Sequence, residues 1–113
     1  MTTQQLQPLI IEWAKERGIF EKGTPIKQAF KTLEECGELI EAIGAYNVGR
    51  MTSAAEWNDK RSAILDAVGD LIVTLIIQAE MQGTSIDECL EQAYNEIKDR
   101  NGSMLNGTFV KDK

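Results

Sequence analysis

Apolar residues recur every three or four positions along four stretches of this chain, the spacing of one face of a helix. Leu6, Leu9, Ile10, Trp13 and Ala14 predict a helix from about Gln4 to Arg17, ended by Gly18. Pro8 is tolerated only near a first turn, which allows a start as late as Gln7. A loop is expected from Ile19 to Gly23. Thr24 as N-cap and Pro25 at the first helical position open a second helix, which runs to Ile43 or Tyr46. Its stripe is Ile26, Phe30, Leu33, Gly37 and Ile40, widened by Ala29, Cys36 and Ile43. An apolar arc over about half the circumference predicts burial on two sides, a bundle core and a subunit interface. Gly37 costs about 1 kcal/mol against alanine inside a helix, and close approach by another helix would account for it.

Gly44 to Asp59 is the least regular stretch, with Asn47, Gly49 and Thr52. Ser53-Ala54-Ala55-Glu56 fits a capping box that starts a third helix, with Asn58 or Asp59 as later alternative caps. That helix reaches about Gln82 and stops at Gly83. From Ile64 onward it is apolar nearly all round, so it is expected to be the central, most buried element. Ser85 and Glu88 form a second capping box. The fourth helix runs to about Arg100, with Ile86, Leu90, Ala93 and Ile97 expected inward. Asn106-Gly107 in the tail 103–113 is a hairpin signal. The sum is one all-α domain over 1–113, with its core at about 6–102, built as a four-helix bundle. So much apolar arc predicts self-association.

Composition narrows the function. At 113 residues, 42% apolar and 27% charged, the chain can build a soluble core. The run Leu71 to Ile77 is too short to cross a bilayer, and no basic-then-apolar leader opens the sequence. Cys36 and Cys89 read as buried free thiols, which together with the missing leader points to the cytoplasm. A net charge of −6 argues against nucleic-acid partners. The absence of histidine removes His-based zinc sites, the catalytic triad and imidazole acid–base chemistry. Any metal site must use oxygen ligands, which favours Mg²⁺, with Mn²⁺ as a substitute.

The acids are the chemical signal. Glu34, Glu35, Glu38 and Glu41 crowd one side of the second helix, and Asp66 and Asp70 sit one turn apart at the start of the apolar run. Pairs at such spacing share a face and repel. In a partly buried cleft a pair costs about 4 kcal/mol at an effective dielectric near 20. Compensation comes from basic partners such as Lys31 or Arg61, from protonation, or from a cation that serves several carboxylates at once. The bland alternatives are a solvated glutamate face, a structural salt bridge for the aspartates, and helix-dipole complements in Lys98 and Arg100. For Trp13 and Trp57 the bland role is packing.

Glu34-Glu35-Cys36-Gly37-Glu38 resembles the Glu-Glu-x-x-Glu motif of the MazG-like all-α nucleoside triphosphate pyrophosphohydrolases. Asp66-Ala67-Val68-Gly69-Asp70 resembles their second motif, Glu-x-x-Asp before an apolar run. Tyr94 to Gly102 resembles the downstream segment that supplies Asn, Lys and Arg to the nucleotide. The small phage-encoded members are most similar in size and tail. The resemblance spans about Trp13 to Gly102. It implies assembly as a homodimer or homotetramer and Mg²⁺-dependent cleavage of a nucleoside triphosphate to the monophosphate and pyrophosphate. It assigns Glu35, Glu38 and Asp70 as metal ligands, with Asp66 in place of the family's glutamate, whose position holds Ala67. Glu34 would either stand behind the ligands as a supporting acid or orient the attacking water, and Asn95, Lys98 and Arg100 would touch phosphate or sugar. Trp13 or Phe20, near the end of the first helix, is placed to stack on the base. Two rivals remain: a non-catalytic helical interaction module, and a degenerate member that binds nucleotide without hydrolysis, Ala67 being the lesion.

Overall fold

The structure, a computed structural model, describes residues 1–48, 51 and 53–113. It is mostly helical: α1 (Thr3–Glu16), α2 (Ile19–Lys22), α3 (Pro25–Val48), α4 (Ala54–Met81) and α5 (Ile86–Ile97), followed by strands β1 (Gly102–Leu105) and β2 (Thr108–Lys111). Local signals set most of the boundaries. Thr2 caps α1 in a reciprocal box with Gln5, so the helix starts before Gln4 and carries Pro8 inside it. Ser53 accepts from the Glu56 amide at 3.2 Å, so the earliest of the three expected caps starts α4. Ser85 accepts from the Glu88 amide at 3.2 Å and starts α5, which ends at Ile97 and not at Arg100. Residues 19–22, expected as loop, form one helical turn entered through Gly18 at φ 74°. Gly49 and Thr52, in the expected irregular stretch, lie outside the described residues. The tail is a two-stranded antiparallel hairpin, with Met104 opposite Phe109. Its turn residues Asn106 and Gly107 take φ 52° and 80°, the left-handed pair of a type I′ turn.

The pair α3–α4 organises the rest. Gln28 and Glu35 of α3 and Ala67 and Thr74 of α4 are buried, with Thr32 half-buried between them. The spacing of three and four is that of a coiled-coil seam, but much of this seam is polar. Gln28 Nε2 donates to the Thr74 carbonyl at 3.1 Å, and Thr32 Oγ1 donates to Thr74 Oγ1 at 3.0 Å. Thr74 Oγ1 donates to the Leu71 carbonyl at 2.7 Å, and Gln78 Nε2 to the Pro25 carbonyl at 2.8 Å. The start of α3 therefore lies against the end of α4, and the helices run antiparallel. Helix α1 covers a second face of α4 with fully buried Ala14, and buried Gln7 donates to Asp87 Oδ1 at 3.1 Å, tying α1 to the start of α5.

Two packing expectations need correction. Helix α4 is buried at Ala67, Thr74, Ile76, Ile77 and Ala79, but Leu65, Val68, Ile72 and Leu75 are exposed, because nothing among the described residues covers that third face. The stripe of α5 is likewise open. Leu90, Ala93 and Ile97 are exposed and only Ile86 is half-buried. Cys89 is exposed and Cys36 half-buried, so neither thiol is sealed in a core. By length and composition α4 is apolar enough to cross a membrane. Helices α1, α3 and α5 pack on it, and 28% of its most apolar window is buried.

Candidate functional site

Midway along the α3–α4 pair, the helical spacing of three places Glu35 and Glu38 on one side of α3, and the antiparallel register brings Asp70 of α4 to them. One carboxylate oxygen from each lies within 4.8 Å of the others. Glu35 is buried, while Glu38 and Asp70 are exposed, so the group is open to solvent on one side. Lys31 answers part of the charge, its Nζ standing 3.3 Å from Glu35 Oε1 and 3.4 Å from Glu34 Oε2. The second oxygen of Glu35, Oε2, is buried with no hydrogen-bond partner. A buried carboxylate oxygen left in that state is costly.

The electrostatics carry the same message. Hydrogen bonding to the Glu35 carboxyl, then its negative charge, raises the pKa of Glu38 above its ordinary value. Hydrogen bonding to Glu35 likewise raises that of Lys31. A shared proton is one way to quiet the carboxyl pair, and a divalent cation is another. The donor set fits such an ion: three hard oxygens, where ligands about 2.1 Å from Mg²⁺ lie up to about 4.2 Å apart. A small closure of the observed group reaches that size.

The remaining expected residues fall elsewhere. Asp66 does not join the group. One turn back on α4, and rotated away from buried Ala67, it lines a shallow surface depression with Asp59, Ser62 and Leu65. Among the described residues no ion pair engages Asp66 or Asp70, so neither Lys31 nor Arg61 serves as their partner. Glu34 is exposed and held by Lys31. Trp13 is half exposed, with the Arg17 guanidinium 4.5 Å from its ring centre, so one face is covered from its own helix. Trp57 packs edge-on against Tyr46, ring centres 5.0 Å apart. Asn95 lines a depression with Glu88, Glu91, Gln92 and Glu96. Arg100 lines another with Glu96, Asp99, Asn101 and the end of β2. Neither includes a member of the carboxylate group, and Lys98 stands exposed as the C-cap of α5. Sequence reasoning offered Lys31 to the aspartates, whereas the structure gives it to Glu34 and Glu35, and its place three and four residues before them was the available signal.

Comparison with known proteins adds relatives. No protein-family model matches the chain, and no solved structure does. A protein encoded in the rep-hol intergenic region of Haemophilus phage HP1 is 34% identical over 89 residues, covering 79% of this chain. The chain spans less than half of that phage protein, 45% of its length. The Bacillus subtilis protein YvdC is 31% identical over 99 residues, covering 79% of this chain and 90% of YvdC. Neither name carries an activity.

Proposed function

We propose, from the resemblance of its carboxylate motifs, that this member of the family of Bacillus subtilis YvdC is a Mg²⁺-dependent nucleoside triphosphate pyrophosphohydrolase of the MazG-like type. The observation that carries the reading is the buried, unpartnered Oε2 of Glu35, grouped with Glu38 and Asp70 within 4.8 Å. A proton shared with Glu38 answers one pair of carboxyls, whereas a cation answers all three at once. Glu35, Glu38 and Asp70 would hold the ion, with Mn²⁺ able to substitute. When bound, the ion offsets triphosphate charge and lowers the pKa of a coordinated water. Glu34, exposed at the rim, accepts the proton of the attacking water. The water oxygen bonds to the α-phosphorus as the bond to the bridging oxygen breaks, giving monophosphate and pyrophosphate. Lys31 keeps the resting carboxylates in place. Asn95, Lys98 and Arg100 are assigned to the nucleotide on the resemblance and Trp13 on its place near the end of α1, and this requires α5, or the α5 of another copy, to reach the carboxylates when substrate binds. The four-helix bundle and a cytoplasmic location, where nucleotides are abundant, belong to the same proposal.

The test is pyrophosphate release from a panel of canonical and modified nucleoside triphosphates, with and without Mg²⁺, beside Glu38→Gln. Monophosphate and pyrophosphate appearing only with metal and only in the unsubstituted chain support the reading. Metal-independent turnover, or equal turnover by Glu38→Gln, sinks it. A second reading has its own observation: Ala67, at the position where the MazG-like motif has a glutamate, is buried and leaves three carboxylates in the group. Mg²⁺-dependent nucleotide binding without turnover would favour that reading, a binder that does not hydrolyse.

A further inference from the structure

Lys31 stands at the mouth of the carboxylate group with half of its side chain exposed. Its Nζ lies 3.4 Å from Glu34 Oε2 and 3.3 Å from Glu35 Oε1. Charge-assisted hydrogen bonds to a carboxylate are shorter, about 2.7–2.9 Å, so the ammonium is shared between two acids and held closely by neither. An ammonium has three donors, and these two contacts leave one of them to solvent. The flexible stem can swing that charge away from the helix. Lys31 is therefore a movable cation beside the acids and not a fixed link in the core.

Positive charge near the carboxylates comes from no other part of the described structure. Among the described residues Lys31 is the one cation in ion-pair contact with this group. Asn95 shares its depression with Glu88, Glu91 and Glu96, and such a surface repels phosphate. Arg100 lines its own with Glu96, Asp99 and Asp112, beside Lys111 and Lys113. Neither depression includes Glu35, Glu38 or Asp70, and Lys98 is exposed at the C-cap of α5. A single divalent ion does not offset Glu34, Glu35, Glu38, Asp70 and a triphosphate together. The phosphate charge left over needs a second cation close to the same acids. With Glu35 offset by an ion, the pair that holds the ammonium weakens, and Lys31 is free to turn to an anion arriving beside it.

We propose that Lys31 is a phosphate-binding residue: it pairs with Glu34 and Glu35 as the structure shows, and passes to a phosphate oxygen of the nucleotide once a cation offsets those carboxylates. This assignment rests on the hydrolase reading of the site and adds a contact that the motif resemblance does not name. It requires no movement of α5. The probe is inorganic tripolyphosphate, which has the phosphate chain without base or sugar. Isothermal titration of its magnesium complex into the full chain, at matched free Mg²⁺, gives a dissociation constant. Lys31→Met should raise that constant about tenfold or more, the loss of one charge-assisted contact. Lys27→Met removes the same charge one turn earlier, at an exposed position of α3, and should change it by less than about twofold. Mn²⁺ binding, followed by electron paramagnetic resonance without phosphate, should persist in Lys31→Met, which also shows that the variant is folded. Equal tripolyphosphate binding by Lys31→Met and the intact chain would overturn the assignment. So would an equal loss in Lys27→Met, which makes the effect one of overall charge. Loss of Mn²⁺ binding in Lys31→Met would also overturn it, by reducing Lys31 to a support for Glu35. Metal-dependent pyrophosphate release by the intact chain would leave the hydrolase reading standing in each of these cases. An intact chain that binds neither Mn²⁺ nor tripolyphosphate would overturn both.

Discussion

At the scale of the residue, Glu38 separates a cation site from a merely acidic surface. Its pKa is raised by hydrogen bonding to the Glu35 carboxyl and by the charge there. Without metal, the folded chain therefore holds this proton to higher pH than the unfolded chain does. Between the ordinary carboxylate value and the raised one, folding stability falls as pH rises. Glu38→Gln removes the repulsion. In EDTA at pH 7.5 its melting temperature is expected to equal or exceed that of the unsubstituted chain, while the rise produced by Mg²⁺ disappears. Equal Mg²⁺ responses in both proteins would count against the site. Protons and the ion compete for the same oxygens, so the Mg²⁺-induced rise should shrink between about pH 7.5 and pH 5. Thermal melts in matched buffers check this, and a pH-independent rise would contradict it. The choice of Glu35, Glu38 and Asp70 came from the motif resemblance, and only the pairing of the two glutamates on one face was legible from helical spacing. The exclusion of Asp66 was not, because it depends on which side of α4 turns to α3, and Ala67 takes the buried position.

At the scale of the element, local chemistry was readable and coverage was not. The Ser53 and Ser85 caps and the Asn106-Gly107 turn act within a few residues, and the structure uses all three. The helical stripes were readable too, but what covers a stripe is decided by other parts of the chain. That is why Leu90, Ala93 and Ile97 of α5 were expected inward and stand exposed. The polar seam around Thr74 was also hidden, since Gln28 and Thr32 look like ordinary surface residues until α4 lies over them. Gln28 is buried, with its amide donated to the Thr74 carbonyl. Gln28→Ala is expected to lower stability by about 1–2 kcal/mol, measured by urea unfolding in the presence of Mg²⁺. A change under a few tenths of a kcal/mol would show that the bond does not hold the pair together.

At the scale of the whole molecule, the α3–α4 pair turns one side to solvent as carboxylates and the other as apolar seams, and the two sides ask for different companions. The acidic side asks for a cation, because Lys31 is already engaged with Glu34 and Glu35 and leaves one oxygen of Glu35 bare. The apolar side asks for protein. The overall charge of −6 makes the first demand stronger, since a triphosphate can approach such a surface only after a metal has offset it. The most direct test of this claim is an electron paramagnetic resonance titration of Mn²⁺ with the intact chain, Glu35→Gln and Asp70→Asn. The intact chain should deplete the free Mn²⁺ signal and release it on addition of excess Mg²⁺, while both variants leave the signal of the free ion in place. Depletion that persists in both variants, or no depletion by the intact chain with nucleotide present, would contradict a metal site at Glu35, Glu38 and Asp70.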